Sequence, residues 1–167
     1  MNFTLANLLF STNAQKVLRY FLDHSKEQIY DREVSRKTGV SRAGANLALR
    51  ELARAGLLMK EKKGRMVFYG LNEQDPLIRQ LKILQNIVLL TPLLRSIHNQ
   101  VIRATLFGSA SKGENLEESD KDLFILTRNK KEIEKKIHKY IVSLHVQPTI
   151  HTPQEWAKIE RINKIFK

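Results

Sequence analysis

The chain has 167 residues, 42% of them hydrophobic, no cysteine, and a formal net charge of +12. That length holds one medium or two small domains, and the composition excludes global disorder, disulfides, thiolate metal sites and cysteine nucleophiles. The charge excess is spread along the chain, with 13 basic against 8 acidic residues through Asp75 and 16 against 9 beyond it. Such a field favours polyanions: nucleic acid first, nucleotide phosphates second, anionic membrane third.

Met1 to Phe10 is apolar but has neither a basic leader nor a small-residue cleavage site, so it reads as a structural arm and the expected location is cytoplasmic. From Asn13 to His24, Ala14, Val17, Leu18, Phe21 and Leu22 recur at helical spacing, with Ser11, Thr12 or Asn13 as the cap. Asp31 opens a short helix through Thr38, Gly39-Val40 makes a tight turn, and Ser41 caps a third helix to about Ala55, closed by Gly56. Two short helices around a glycine turn form a helix-turn-helix pattern. Leu57 to Lys60 and Met66 to Tyr69, joined by the polar tip Glu61 to Arg65, then predict a β-hairpin wing.

On the third helix, Ala45, Leu49 and Leu52 point inward, while Arg42, Asn46 and Arg50 form an outer stripe. Forked Arg and Asn side chains match guanine and adenine edges in a major groove, and Ser41 at the helix start suits a phosphate. Lys62, Lys63 and Arg65 on the wing suit the DNA backbone or a minor groove. The expected partner of this half is double-stranded DNA. Gly44, in mid-helix, fits a close approach of the helix either to DNA or to another helix.

Asp75-Pro76 starts a further helix, with Leu77, Leu81, Leu84 and Val88 on one face and Ile78 and Ile87 alongside. Thr91-Pro92 is expected to restart it as a second capped segment to about Asn99. The apolar stretch Ile83 to Leu94, broken by Gln85, Asn86 and Pro92, reads as too short to span a membrane. Its stripe suits either packing between domains or a homodimer, and two-fold symmetry in helix-turn-helix proteins favours the homodimer.

Val101 to Phe107 reads as a buried strand that enters a Gly108-Ser109 turn, followed by a helical turn over Ala110 to Gly113 and a polar loop. A second strand runs from Asp120 to Thr127, a helix from Lys130 to Leu144, a third strand from Val146 to His151, and a last helix from Pro153. This helix carries Trp156, Ile159, Ile162 and Ile165, with Trp156 as a core or interface aromatic. Strands alternating with helices make an α/β layer. Asp120 and Asp122, at alternate strand positions, share a face and suit a hard divalent cation, while backbone N–H groups near Gly108 and Ser109 suit phosphate oxygens.

Leu106-Phe107-Gly108-Ser109-Ala110-Ser111-Lys112-Gly113 followed by Ser119-Asp120-Lys121-Asp122-Leu123 resembles the signature of the minimal nucleotidyltransferases of the DNA polymerase beta-like superfamily. Residues 1 to 75 resemble ArsR/MarR-type winged helices, and the order resembles prokaryotic fusions of the two, including Phe68-Tyr69-Gly70-Leu71-Asn72 and Gln147 to Pro153 at the joins. The resemblance implies a mixed α+β or α/β chain: a winged helix over 1–75, a helical bridge or dimer interface over 76–99, and a small nucleotidyltransferase-like domain over 100–167.

It also implies that Gly108 and Ser109 hold a nucleoside triphosphate and that Asp120 and Asp122 are the catalytic and Mg²⁺-binding acids. Two departures stand out. The strand Val146 to His151 has no third carboxylate, leaving Gln147 and Thr149 there and His145, His151 or Glu155 as substitutes. Lys121 stands at an ordinarily apolar place, on the opposite strand face from the acids, where it needs a route to solvent.

Two functions follow. One is a DNA-binding transcriptional regulator whose second domain binds nucleotide and Mg²⁺, or a protein partner, as a signal. The other is an active Mg²⁺-dependent transferase of a nucleoside monophosphate to protein, RNA or a small molecule. An antitoxin-like half of a two-component module is a third reading.

Overall fold

The structure is a computed structural model that describes residues 5–165, with side chains through 159. The chain divides into two compact units, Met1–Leu84 and Gln85–Lys167. The expected arm at Met1 to Phe10 is described only from Leu5, where a short helix α1 (Leu5–Leu9) begins, and its first four residues lie outside the described range.

In the first unit, α2 (Asn13–Asp23) is capped by Thr12, whose hydroxyl accepts from the Gln15 N–H while the Gln15 side chain accepts from the Thr12 N–H. Strand β1 (Gln28–Tyr30) leads into α3 (Asp31–Thr38), which Gly39 ends at φ 69°. Ser41 then caps α4 (Arg42–Arg54), its hydroxyl accepting from the Gly44 N–H at 3.2 Å. Strands β2 (Leu58–Lys63) and β3 (Met66–Leu71) form the expected hairpin, each reaching further than the apolar residues alone suggest. The antiparallel sheet has the order β1-β3-β2, so the three-residue β1, absent from the sequence expectation, pairs with the free edge of β3.

The core joins Val17 and Phe21 of α2, Val34 of α3, Leu49 of α4, and Leu58 and Leu71 of the hairpin. A Cβ on Gly44 would sit 2.6 Å from Asn13 Nδ2 and 3.1 Å from the Ser41 hydroxyl. The glycine therefore lets α4 come close to the start of α2, which settles its role in favour of helix packing.

Helix α5 (Pro76–Ile97) runs without interruption through Pro92, followed by a 3-10 turn over His98–Gln100. The expectation of two capped segments is corrected. Thr91 does not cap a new helix; its hydroxyl donates to the Ile87 carbonyl at 2.8 Å, carrying side-chain hydrogen bonding past the residue that has no N–H. The argument that this stretch is too short to span a membrane is corrected with it, because residues 76–100 are long and apolar enough by length and composition. Four of its apolar residues serve as core, Ile78 in the first unit and Leu90, Leu93 and Ile97 in the second, while Leu77, Leu84 and Ile87 are exposed.

The second unit contains β4 (Val101–Phe107), α6 (Gly108–Lys112), β5 (Lys121–Thr127), α7 (Lys130–Leu144), β6 (Val146–His151) and α8 (Pro153–Ile165). The sheet order is β4-β5-β6, antiparallel between β4 and β5 and parallel between β5 and β6. Burial alternates along β5. Lys121, Leu123, Ile125 and Thr127 face inward, while Asp122, Phe124 and Leu126 face the other way. Leu123 and Ile125 pack with Ile133 and Ile137 of α7. On the opposite face, Trp156 of α8 packs edge-on against Phe124 at 4.7 Å, both half-buried. Ile162 and Ile165 lie outside the described side chains.

Leu49 and Ile125 have no exposed surface. Truncating either to alanine is expected to cost about 2–5 kcal/mol. Amide hydrogen exchange should detect this as lost protection in α2 and α4 for Leu49→Ala, and in β4 to β6 for Ile125→Ala.

Candidate nucleotide site and basic face

The register of the second sheet places Phe107 opposite Asp122, so the chain turns at Gly108 directly beside that carboxylate. Gly108 has φ 69°, a left-handed conformation that side chains disfavour. A Cβ built there would overlap the Asp122 carboxylate oxygen. The glycine corner and the acid therefore occupy one place. Asp122 is half-buried, and Asp120, one residue before the strand, is exposed. Two positions of extended chain span about 6.6 Å.

Helix α6 starts at the corner with no side-chain cap on its N-terminus, and the Ser111 hydroxyl donates back to the Gly108 carbonyl at 2.8 Å. Gly113, also left-handed, ends the helix and turns the chain into the loop that leads to Asp120. Both limbs of this segment are held by Asn86, a residue sequence reasoning passed over as an interruption in an apolar run. Its side chain is 3% exposed, and its amide donates to the Ala110 carbonyl and to Asn115 Oδ1, each at 2.9 Å. Polarity at a position that helical spacing places inside was the available signal.

Lys121 is turned inward rather than toward solvent. It is 6% exposed, and its ammonium donates to the Leu144 carbonyl at the end of α7, at 3.2 Å. Its own N–H donates to the His145 carbonyl at 2.7 Å, and His145 takes the left-handed conformation that closes α7. A buried cation is thus placed where a helix exposes unpaired carbonyls. The sequence expectation of a solvent-seeking lysine is corrected, because the face opposite the acids is the one that α7 covers.

On β6, Gln147 stands beside Asp122 and Thr149 beside Phe124. No carboxylate replaces them. His151 pairs with Leu126, about 13 Å of strand from the Asp122 row, and its ring lies against Phe124 and Trp156. Glu155 completes the cap of α8: it accepts from the Thr152 N–H at 2.8 Å while its own N–H donates to the Thr152 hydroxyl. That backbone hydrogen bond, aided by Lys130 and His151, holds its carboxyl below the ordinary range. His145 gives its backbone to the turn that closes α7, and its side chain is exposed. Among the described residues, no group of three metal-ligating side chains assembles.

The first unit gathers a second set. Asn46, Arg50 and Arg65 share an open cleft of about 330 Å³ with Tyr30, Asp31 and Tyr69. Arg42 joins Asp31, Asn46, Leu47 and Arg50 in an adjoining surface hollow. Ser41 lies at the head of the same helix. The hairpin lysines separate. Lys62 pairs with Val67, which lines the cleft. Lys63, one residue on, points to the other strand face. There it donates to Gln28 Oε1 at 3.0 Å, pairs with Glu61 at 3.0 Å, and lies 5.4 Å from the Phe68 ring centre.

Replacing Gly108 with alanine puts a methyl group into the space of the Asp122 carboxylate and costs about 1–3 kcal/mol of backbone strain. Nucleotide affinity should fall by about tenfold or more, equivalent to ~1.4 kcal/mol. Asn86→Ala removes two buried hydrogen bonds, worth about 1–3 kcal/mol. It should loosen residues 108–120, which hydrogen exchange would resolve.

No curated protein and no solved structure matches the chain. A family model does: residues 90–166 match the nucleotidyltransferase domain, and this part of the chain carries such a domain.

Proposed function

We propose that the chain is a DNA-binding winged-helix transcriptional regulator whose nucleotidyltransferase domain binds a nucleoside triphosphate with Mg²⁺ as its signal. The observation that carries this reading is the pairing of the Gly108 corner and Asp122 with a neutral Gln147 in the neighbouring strand. One acid against a phosphate-sized turn, with a second two residues before it in the chain, suits a cation and a triphosphate. The donor set fits Mg²⁺, which takes a couple of carboxylates and completes its shell with phosphate oxygens and water. Asp120 and Asp122 would hold the ion, which neutralises phosphate charge when bound.

This chain's own residues supply the remainder of the site. Gly108 gives close backbone approach, Ser109 begins the short helix beneath the phosphates, and Asn86 fixes the loop that carries Asp120. Gln147 accepts no proton at neutral pH, so an attacking hydroxyl finds no base on that strand beside Asp122, the strand's one imidazole, His151, lying four residues further on.

For the first unit, the support is three helices packed on a sheet with a basic hairpin, and Arg42, Asn46, Arg50 and Arg65 around adjoining hollows. In this reading Ser41 and the start of α4 meet a phosphate, α4 enters the major groove, and Lys62 and Arg65 reach the DNA backbone, with Lys63 as a further contact once it leaves Glu61. A homodimer would present two such helices to two half-sites, and Leu77 and Leu84, both exposed, offer one apolar strip for it.

The second reading, an active transferase, is favoured by the match to the nucleotidyltransferase family and by the retained Gly108, Ser109, Asp120 and Asp122. Labelled nucleoside triphosphate with Mg²⁺ separates the two. The regulator reading expects saturable binding that requires the cation, drops in Asp122→Asn, and transfers no label. Transfer of label to any acceptor, abolished by Asp120→Ala and Asp122→Ala, would establish the transferase instead. For DNA, Arg42→Ala and Arg50→Ala should each weaken duplex binding. Each phosphate neutralised should contribute about −0.9 to the log–log salt slope.

A further inference from the structure

Three features of α4 are left over by general basic attraction to DNA. Asn46 is half-buried, and its amide donates to Asp31 Oδ2 at 3.2 Å. The next residue, Leu47, is 59% exposed on the outer side of a helix whose other leucines, Leu49 and Leu52, are buried. Asp31 itself, at the first turn of α3, is anchored by accepting from the Arg32 N–H at 2.7 Å. An ionised carboxylate only accepts hydrogen bonds, so it fixes which end of the Asn46 amide faces inward. The nitrogen points to Asp31. The oxygen and the second N–H remain for a ligand, and this acceptor-donor pair is what adenine N6 and N7 require in a major groove. Beside it stands an isobutyl group, and the apolar feature of a major groove is the thymine methyl.

Resting on the DNA-binding reading above, we propose that Asn46 and Leu47 read A·T base pairs, and that Asp31 is a positioning residue that sets the orientation of the Asn46 amide. Arg42 and Arg50, one helical turn to either side of Asn46, supply the flanking guanine or phosphate contacts. Asp31 also puts a negative charge between the arginines and disfavours their collapse onto any phosphate regardless of sequence. The device therefore trades general affinity for base selectivity.

The test is selection of bound duplexes from a random pool by the full chain, followed by titration of the winning sequence. Wild type should require adenine at one position of each half-site, with discrimination of about 5- to 150-fold. Asp31→Asn keeps the shape but lets the new amide donate to the Asn46 oxygen, so the Asn46 amide can turn over. That variant should lose the adenine preference while its affinity for unrelated duplexes stays equal or rises. Replacing thymidine with deoxyuridine in the site deletes only the methyl group. It should weaken wild type and leave Leu47→Ala unchanged.

Unaltered base preference in Asp31→Asn, or indifference of wild type to deoxyuridine, overturns the proposal while leaving DNA binding intact. Absence of any selected duplex overturns the DNA-binding reading itself. Circular dichroism of both variants verifies that they fold, and Asn46→Ala, which removes the amide altogether, should reproduce the loss of adenine preference.

Discussion

The second unit is organised around a steric exclusion: the carboxylate of Asp122 takes the room that any side chain at position 108 would need. Only glycine satisfies both the left-handed backbone there and the approach of the acid. Antiparallel pairing puts Phe107 across from Asp122 and so makes the turn meet the acid. The turn then starts α6, and Gly113 ends it within five residues, so the chain comes back toward Asp120. Asn86 holds the outgoing and returning limbs with the two hydrogens of one amide. A shift of one residue between β4 and β5 would place Leu123 at the corner and send Asp122 into the core.

That alternation also explains the buried lysine. With Asp122 on one face of β5, the residue before it, Lys121, falls on the other face, which α7 covers. An apolar side chain is the simplest occupant. Lys121 is accommodated because its ammonium reaches the final carbonyls of α7, where helix geometry leaves acceptors without partners. The left-handed His145 turns the chain so that Lys121 and the end of α7 also meet through the backbone. The start of the acidic strand is thereby tied to the helix that precedes β6, the strand on which Gln147 sits.

Much of this was legible in the sequence because it is written in local chemistry. Helical spacing located α2, α4 and α7, glycines marked the ends of α3 and α4, and of the expected pocket the structure brings Asp122 to the Gly108 turn. What escaped depends on partners distant in sequence. Strand β1 is three residues long and exists because β3 offers it an edge. The fate of Lys121 turns on which face α7 covers. Asn86 and Asp31 look like ordinary polar residues until the fold sets Ala110, Asn115 and Asn46 beside them. Pro92 was misread for a different reason: proline breaks isolated helices, yet this one is fixed by Leu90, Leu93 and Ile97 in the core. Core burial outweighs the missing N–H.

In the proposed nucleotide site, the charges of the chain would make its two ligands depend on each other. Beyond Asp75 the chain carries 16 basic against 9 acidic residues, which attracts a polyanion from a distance. At the pocket itself the local sign reverses, since the Asp122 carboxylate lies against the turn where phosphates would lie and Asp120 stands two residues before it in the chain. A triphosphate arriving alone meets two negative charges; a cation arriving alone finds two carboxylates, too few to strip the hydration shell of an ion that dehydrates reluctantly. Together each removes the other's obstacle, because the cation neutralises the carboxylates and the phosphates complete its oxygen shell. Gln147, the neutral neighbour of Asp122, adds no negative charge, which in this reading would lower affinity for the bare cation and ease entry of the charged nucleotide.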